Sequence, residues 1–353
     1  MDWYRLRVVS IKDNIIFRLM SSFERYQDIF KLSEEQLKIY FKLDEITISL
    51  LQKSKNIDIE KEIKFLEKNR VKVISLKDKD YPVGLKNISH PPVFLYYRGD
   101  INLAKENTIG VVGTRQASSY GKRACEKITS ELVNSKVVTV SGLASGIDTI
   151  CHKTTLEKNG KTIAVVGSGL DIIYPSENRK YWEEIGEKGL IISEYPLGTE
   201  PLAYNFPMRN RIIVGLSRGI LVVESKERGG SLITASLALD EGRDVFAIPG
   251  DINSPVSIGT NNLIKDSKAK LVTCGEDILD EFGWKKIDKE ETILGLSDDE
   301  AKIYNSLVRE KNLDELVIIT GIKPKTLLAI LMNMEINGYI SSVSGGKYIR
   351  KAR

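Results

Sequence analysis

The sequence predicts an α/β protein with a doubly wound, mostly parallel sheet, flanked by a small N-terminal helical domain and a C-terminal winged helix. Two observations carry this prediction. Near-continuous apolar segments alternate with helical segments between about residues 109 and 248, as in parallel sheets that are covered on both faces. A charged linker then precedes three short helices and a hairpin, which is the pattern of a winged helix.

The first 75 residues predict short helices. Ile15, Ile16, Leu19 and Met20 recur at helical spacing, and a further amphipathic stretch covers residues 59–69. Ser33 begins a capping box, in which the serine side chain accepts from the third helical amide and the glutamine there reaches back. We therefore assign residues 1–75 to a helical domain.

Strands and helices alternate through the middle of the chain. Turn residues at 80–82 and 90–92 precede a strand at 93–97. Further strands are predicted at 109–112, 137–140, 162–166, 190–193, 220–223 and 245–248, separated by helices at 118–135, 146–158, 178–188, 209–216 and 231–240. Because ligand sites of such sheets lie at the carboxyl ends of the strands, the loops that follow them are the candidates for function. This domain is assigned to residues 76–285.

The C-terminal region predicts helices at 297–308, 313–320 and 324–337, followed by a hairpin at 339–343 and 347–350 around Gly345-Gly346. We assign residues 295–353 to a winged helix. Its third helix is mostly apolar, whereas a helix that reads bases needs polar or arginine side chains. A protein-docking or structural role is as consistent with this helix as contact with phosphates.

Charge and cysteine usage exclude several classes of protein. Lys and Arg total 52 against 48 Asp and Glu, so a net charge of +4 does not suit a protein that coats duplex DNA. Three distant cysteines and two histidines offer neither a disulfide framework nor a zinc site. No apolar run approaches the roughly 20 residues that cross a bilayer, and no signal peptide is recognisable, so we expect a cytoplasmic protein.

Four loops after strand ends carry glycines, small residues and arginines that suit a phosphate group. Glycine permits close backbone approach, helix amides attract anions, and arginine grips phosphate through two donors. The candidate residues are Gly113, Thr114 and Arg115; Gly167, Ser168, Gly169, Leu170 and Asp171; Asn205, Phe206, Arg209, Asn210 and Arg211; and Gly229, Gly230 and Ser231. Stacking on Phe206 or Tyr204 beside these arginines suits single-stranded nucleic acid, although an ordinary helix start explains the same segment equally well.

Enzymatic chemistry is less well supported. The Gly167-x-Gly169 loop lacks the third glycine of a dinucleotide fingerprint, so no NAD or other cofactor is expected. His152 is favoured as a packing histidine over a base, and Asp148 either bonds loop amides or orients an arginine. Glu194 and Glu224 end strands and more often order arginines than act as bases. We therefore expect no catalytic residue, no metal and no enzyme.

Taken in order, these loops resemble the DNA-processing protein A (DprA/Smf) family. The motifs are Gly113-Thr114-Arg115, Ser141-Gly142-Leu143-Ala144 with Gly146-Ile147-Asp148 and His152, Gly167-x-Gly169-Leu170-Asp171-x-x-Tyr174-Pro175, Glu194-Tyr195-Pro196, Phe206-Pro207-x-Arg209-Asn210-Arg211 and Gly230-Ser231-Leu232-Ile233-Thr234. Thr114 stands where the family commonly has serine, and Ser145 where it commonly has arginine. The N-terminal helices, of the helix-hairpin-helix or sterile-alpha-motif type in the family, lack its glycine-rich turn.

The resemblance implies an extended Rossmann-like domain that binds single-stranded DNA, protects incoming strands and delivers them to the RecA recombinase in natural transformation. It implies a homodimer in competent cells and contact with a single-strand-binding protein, without a membrane partner. It places Arg115 and the 167–171 loop in the DNA pocket. Two alternatives stay open: a nucleotide-processing enzyme of the related phosphoribohydrolase type, and a regulator that reads duplex DNA through the winged helix.

Overall fold

The computed structural model describes residues 2–286, 296–343 and 345–350. The chain divides into two compact units, residues 1–288 and 289–353. The predicted boundary between the helical and sheet domains at residue 75 falls inside the first unit and stays a prediction. Among the described residues, no helix combines the length and the apolar character needed to cross a bilayer.

The first unit begins with five short helices. They are α1 (Tyr4–Val8), α2 (Asp13–Ser22), α3 (Glu34–Phe41), α4 (Glu45–Asn56) and α5 (Glu60–Lys68), with a 3-10 turn at Tyr26–Lys31. The capping box is present: Ser33 Oγ accepts from the Gln36 amide, and Gln36 Oε1 accepts from the Ser33 amide at 2.9 Å. Tyr4 packs edge-on against Phe94 of the sheet at 5.4 Å between ring centroids. The helices and the sheet therefore share one core.

A nine-stranded sheet follows in the order β1-β2-β6-β5-β4-β3-β7-β8-β9. The strands are β1 (Lys72–Ser75), β2 (Phe94–Gly99), β3 (Thr108–Val112), β4 (Val138–Ser141), β5 (Thr162–Val165), β6 (Leu190–Ser193), β7 (Gly219–Val222), β8 (Asp244–Ala247) and β9 (Lys270–Leu271). Neighbours from β6 to β9 are parallel, whereas β1 and β2 are antiparallel additions. The predicted doubly wound, mostly parallel sheet is confirmed.

Helices cover both faces of this sheet. They are α6 (Val83–Lys86), α7 (Ser119–Asn134), α8 (Ile147–Glu157), α9 (Arg179–Lys188), α10 (Asn205–Leu216), α11 (Gly230–Asp240), α12 (Ile258–Lys265) and α13 (Glu276–Glu281). On one face Cys125 and Cys151 join the core of α7 and α8, and on the other Ile212 and Ala235 join that of α10 and α11. Burial of both faces explains why the strands read as continuous apolar runs.

The strand order places a topological switch point beside β3. The chain proceeds from β3 through β4 and β5 to β6 in one direction and then crosses back to β7 on the other side of β3. Loops that leave β3 and β7 at their carboxyl ends consequently diverge toward opposite sides, which opens a crevice between them. The fold thus fixes one preferred position for a ligand.

Two short strands differ from the sequence prediction. Strand β1 lies within the residues predicted as helical, and Val73 pairs with Tyr96 of β2. Strand β9 comprises two residues beside β8. Neither segment is a fully buried apolar run, because Lys72 of β1 and both residues of β9 are exposed, so pairing with β2 and β8 rather than local pattern decides their conformation.

The second unit has the predicted winged-helix elements. They are α14 (Asp298–Ser306), β10 (Lys311–Asn312), α15 (Leu313–Thr320), α16 (Pro324–Ile336), β11 (Ile340–Val343) and β12 (Lys347–Arg350), with the strands ordered β10-β12-β11. Capping boxes at Ser297 and Asn312 begin α14 and α15. Leu327 and Leu331 of α16 are buried, and the same helix exposes Leu328 and Met332. Its apolar character, noted in the sequence, therefore extends to its exposed side.

Candidate nucleic-acid interface

A cavity of about 690 Å³ opens at the carboxyl edge of the sheet, at the switch point. Its walls are the loop after β3, the loop after β7 and the first turns of α10 and α11. Of the sequence-predicted site residues it brings together Gly113, Thr114, Arg115, Phe206, Arg209, Asn210, Gly229, Gly230 and Ser231. Gly167, Ser168, Gly169, Leu170, Asp171, Asn205 and Arg211 do not line it.

The loop after β3 presents Arg115 to the cavity. A Cβ at Gly113 would lie 2.6 Å from Ile147, so only glycine lets the chain pass α8 here. The Thr114 amide donates to the Glu224 carbonyl at 2.9 Å, and the Thr114 hydroxyl accepts from the Gln116 amide at 3.2 Å. These bonds hold the backbone on either side of Arg115, whose side chain remains exposed.

Helix α10 begins at Asn205, four residues before the predicted start. Pro207 is compatible with this because proline is tolerated in the first helical turn, where amides have no partner within the helix. Asn205 is buried and donates to the carbonyls of Gly167 at 2.9 Å and Glu200 at 3.2 Å. It ties the start of α10 to two neighbouring loops rather than facing a ligand.

Arg209 is 4% exposed and spans the ends of two strands. Its Nη1 donates to the Gly142 carbonyl at 2.7 Å and also to the Val165 carbonyl, while its Nε donates to Asn210 at 3.2 Å. Burial lowers the pKa of Arg209 to about 10, an effect that Asp148 opposes. At neutral pH the guanidinium is therefore charged, and it anchors the cavity floor.

Asp148 is the buried carboxylate beside this guanidinium. It accepts from the amides of Gly142 at 3.1 Å and Ala144 at 3.4 Å. The side chains of Asp148 and Arg209 flank Gly142 so closely that a Cβ there has no room. Burial raises the pKa of Asp148, whereas Arg209 and the two amides lower it. Of the two roles considered for Asp148, bonding loop amides or orienting an arginine, the structure shows the first; toward Arg209 its interaction is coulombic.

Arg211, which the sequence predicts as a DNA contact, does not line the cavity. Its two terminal nitrogens bind the Glu194 oxygens at 2.9 and 2.6 Å, and both side chains are about 15% exposed. Glu224 accepts from the Ser118 amide at 2.9 Å and from its hydroxyl at 2.5 Å, at the start of α7. Both carboxylates that were weighed as bases thus order neighbouring groups.

The 167–171 loop lies behind the cavity wall. Gly167, Ser168, Gly169 and Leu170 are buried, and Asp171 accepts from the Gly198 amide at 2.9 Å. A Cβ at Gly167 would stand 3.2 Å from Phe206, so the loop packs behind that ring. No helix begins in this loop, and its amides therefore lack the helix terminus that would aim them at an anion.

The loop after β7 supplies two cations that the sequence analysis did not select, Lys226 and Arg228. Both are exposed. Ser231 donates to Ser225 at 2.9 Å, and α11 begins at Gly230 without a side-chain cap. The sequence signal that could have identified them is their position in the loop after a central strand, four and six residues beyond the end of β7 at Val222.

The cavity is electropositive. Arg115, Lys226 and Arg228 are exposed on its walls, and the part of the chain that the structure describes brings no carboxylate within 4 Å of any of them. The carboxylate among the lining residues, Asp148, is buried and hydrogen-bonded. This arrangement suits a ligand with two or three phosphates and explains how a net charge of +4 is compatible with a polyanion.

His152 belongs to α8, is fully buried and does not line the cavity, and its Nδ1 lies 2.7 Å from the Thr162 hydroxyl. Burial lowers its pKa to about 3 from an ordinary 6.5. This position agrees with the favoured interpretation, a packing histidine.

The low pKa of His152 predicts acid sensitivity. Between pH 6.5 and about 3 the unfolded chain binds a proton that the folded chain excludes. The free energy of unfolding should therefore fall as the pH falls through this window, by about 1.4 kcal/mol per pH unit from this group. Urea unfolding followed by tryptophan fluorescence measures it, because Trp3, Trp182 and Trp284 all lie in the first unit.

His152→Asn should show a shallower pH dependence than the parent chain over this window. His90→Asn is the matched control, because His90 is exposed. Identical pH slopes for His152→Asn and the parent chain would contradict the prediction.

Comparison with known proteins bears on this site. The family model described as DNA recombination-mediator protein A matches residues 72–283, and the DprA winged helix domain matches residues 288–346. The chain belongs to the DNA recombination-mediator protein A family. The DprA/Smf resemblance inferred from the loop motifs is thereby confirmed, and the family match covers the cavity and every predicted site residue.

Relatives in this family cover most of the chain. The DNA processing protein DprA of Streptococcus pneumoniae is 50% identical over 208 residues, covering 59% of this chain and 73% of the relative. The protein Smf of Escherichia coli is 37% identical over 306 residues, covering 84% and 81%.

Two solved family structures share the fold. The X-ray structure of DprA from Streptococcus pneumoniae has a TM-score of 0.69 at 38% identity and covers 80% of this chain and 98% of that chain. A Helicobacter pylori DprA structure, described as giving insight into its single-stranded DNA binding mode, has a TM-score of 0.55 at 30% identity and covers 61% and 97%.

Proposed function

We propose that this protein binds single-stranded DNA in the switch-point cavity and acts as a recombination mediator without catalysing a reaction on the strand. The observation that carries the proposal is the combination, in one cavity, of three exposed cations and two aromatic rings, Tyr174 and Phe206. Cations that follow a phosphate backbone, together with rings on which bases stack, are the elements of single-strand recognition. The binding mode described for the Helicobacter pylori relative supports this assignment.

Single strands are favoured over duplex for a physical reason. In a duplex the bases are paired and stacked on one another, so their faces do not reach the aromatic rings of a concave site. Phosphates of either form can reach Arg115, Lys226 and Arg228. The cations therefore supply affinity, and the Tyr174–Phe206 aromatic pair supplies the preference for unpaired bases.

Membership of the DNA recombination-mediator protein A family supports a cellular role that we propose. We propose that the bound strand is protected and handed to the RecA recombinase in natural transformation, by a homodimer in the cytoplasm that also meets single-strand-binding protein. Buried glycine-loop residues 167–170 are proposed to support the DNA pocket from behind, and Arg211 to hold α10 against Glu194. For the winged helix we propose a docking or structural role, because α16 exposes apolar side chains.

Binding without catalysis is supported by the state of the candidate bases. Glu194 holds Arg211, Glu224 holds Ser118, and His152 lies outside the cavity lining with a pKa near 3. Incubation with a panel of nucleoside monophosphates tests this directly. Release of a free base above the background of an Arg115→Ala variant would favour the phosphoribohydrolase alternative.

Salt dependence of binding is the primary test. Three cation–phosphate contacts predict that log K falls against log salt concentration with a slope of about −2, since each contributes about −0.7 on a single strand. Fluorescence anisotropy of a labelled oligothymidine, titrated at four salt concentrations, measures this slope. A duplex of equal length is the comparison and should bind more weakly at each concentration. Equal affinity for both, or no slope, would overturn the proposal.

A further inference from the structure

The ring of Phe206 is half-buried and has several close neighbours. The Arg115 guanidinium lies 5.5 Å from its centroid and that of Arg209 5.9 Å, while Gly167 packs against its edge. Tyr174 is its aromatic neighbour, at 5.5 Å between centroids with 38° between the planes. Phe206 therefore resembles a support within the wall more than a surface on which a base can lie.

Tyr174 has the free surface that Phe206 lacks. It is 42% exposed, it lines the cavity, and Phe206 backs it from one side. Tyr204 is more exposed, but it does not line the cavity. Of the exposed tyrosines near the start of α10, Tyr174 is thus the one whose ring meets the cavity and has an aromatic support behind it.

The cations belong to other segments of the wall. Lys226 and Arg228 come from the loop after β7, whereas Tyr174 follows β5, on the opposite side of β3 in the sheet order. Arg115, after β3 itself, lies between them in that order. A strand whose phosphates follow the β3 and β7 loops consequently has its bases available toward the β5 side.

We propose that Tyr174 is a nucleobase-stacking residue and that Phe206 is the positioning residue which holds its ring. This inference rests on the proposed binding of single-stranded DNA. Because every base has a π face, a contact of this kind accepts any sequence and distinguishes a nucleobase from a bare sugar-phosphate chain. In this arrangement the bases of the strand bind on the β5 side of the cavity, and its phosphates bind on the side of the β3 and β7 loops.

The test compares two ligands of equal length and charge: an oligothymidine and an oligonucleotide of abasic sites. Tyr174→Ala should bind oligothymidine about 10-fold more weakly, since one stacked base contributes on the order of 1–3 kcal/mol. It should bind the abasic chain within twofold of the parent protein. Tyr174→Phe retains the ring and should bind both ligands as the parent does.

Two further variants protect the interpretation. Tyr174→Leu keeps apolar bulk against Phe206 but has no aromatic face. It should therefore lose the same affinity for oligothymidine as Tyr174→Ala, and it serves as the test if the alanine variant folds poorly. Tyr40→Ala removes a tyrosine on α3 that is 67% exposed, and it should change neither affinity. Unchanged tryptophan fluorescence establishes that each variant is folded.

Two results would overturn the inference. The first is an equal loss of affinity for oligothymidine and for the abasic chain in both Tyr174→Ala and Tyr174→Leu, which would mean that Tyr174 only shapes the phosphate site. The second is an unchanged affinity for oligothymidine in both variants. If instead the parent protein bound neither ligand, the proposed function itself would fail, which is a different outcome from a loss confined to the variants.

Discussion

Arg115→Ala is expected to weaken binding of a single-stranded oligonucleotide by about 10- to 100-fold, because a hydrogen bond to a charged group contributes about 1.5–3 kcal/mol. Arg115 is exposed at the cavity wall, its backbone is held by the neighbouring Thr114 bonds, and no structural ion pair depends on its side chain among the described residues. The variant should therefore fold normally. Its salt slope should be shallower by about 0.7, corresponding to one lost phosphate contact. Anisotropy titrations at several salt concentrations measure both quantities.

Arg218→Ala is the matched control for this experiment. Arg218 is also exposed, but it immediately precedes β7 and so lies at the amino edge of the sheet, opposite the cavity. Its removal changes the net charge by the same amount and should leave the affinity within about twofold of the parent protein, since screening weakens distant charges at physiological salt. Comparable losses in the two variants would indicate diffuse attraction rather than a site, and would contradict the assignment of Arg115.

Arg209→Met is expected to lower the free energy of unfolding by about 3–5 kcal/mol, because it leaves two buried carbonyls without a donor and the buried Asp148 carboxylate without its nearby positive charge. The carbonyls of Gly142 and Val165 lose their donor, and the carboxylate of Asp148 loses the nearby positive charge that lowers its pKa. Methionine fills much of the volume but can donate to none of them. Urea unfolding followed by tryptophan fluorescence reports the effect in the first unit, which contains all three tryptophans.

Arg211→Met provides the comparison for Arg209, two positions along the same helix. Its pair with Glu194 is about 15% exposed on both sides, so water can solvate the carboxylate that is left behind. We expect a loss nearer 1 kcal/mol, toward the upper range for accessible pairs. Combining Asp148→Asn with Arg209→Met should lower the free energy of unfolding by less than the sum of the two single changes. The asparagine amide is neutral, so no buried charge remains when Arg209 is removed. Additive losses, or a larger loss for Arg211, would contradict the role given to Arg209.

Local patterns in the sequence were sufficient for most of the fold. The helices from α7 to α11 and the strands from β3 to β8 lie within a few residues of their predicted positions, because burial on both faces imposes a pattern that each segment shows by itself. The capping boxes at Ser33 and Ser297 were predictable for the same reason, since every group in them lies within four residues. Strands β1 and β9 were missed because neither is a fully buried apolar run: Lys72 of β1 and both residues of β9 are exposed.

For the candidate site, the sequence determined which loops meet, and only the tertiary structure decided which side chains face the cavity. The motifs placed glycines and arginines after strands that end at one edge, and parallel strands bring those ends together. Arg115, Arg209 and Arg211 look equivalent in the sequence. One is exposed in the cavity, one spans two buried carbonyls, and one is paired with Glu194. Burial and bonding partners distinguish the three arginines. The strand-end carbonyls that Arg209 binds and the carboxylate that Arg211 binds are between 17 and 67 positions away, so local sequence does not show which arginine faces the cavity.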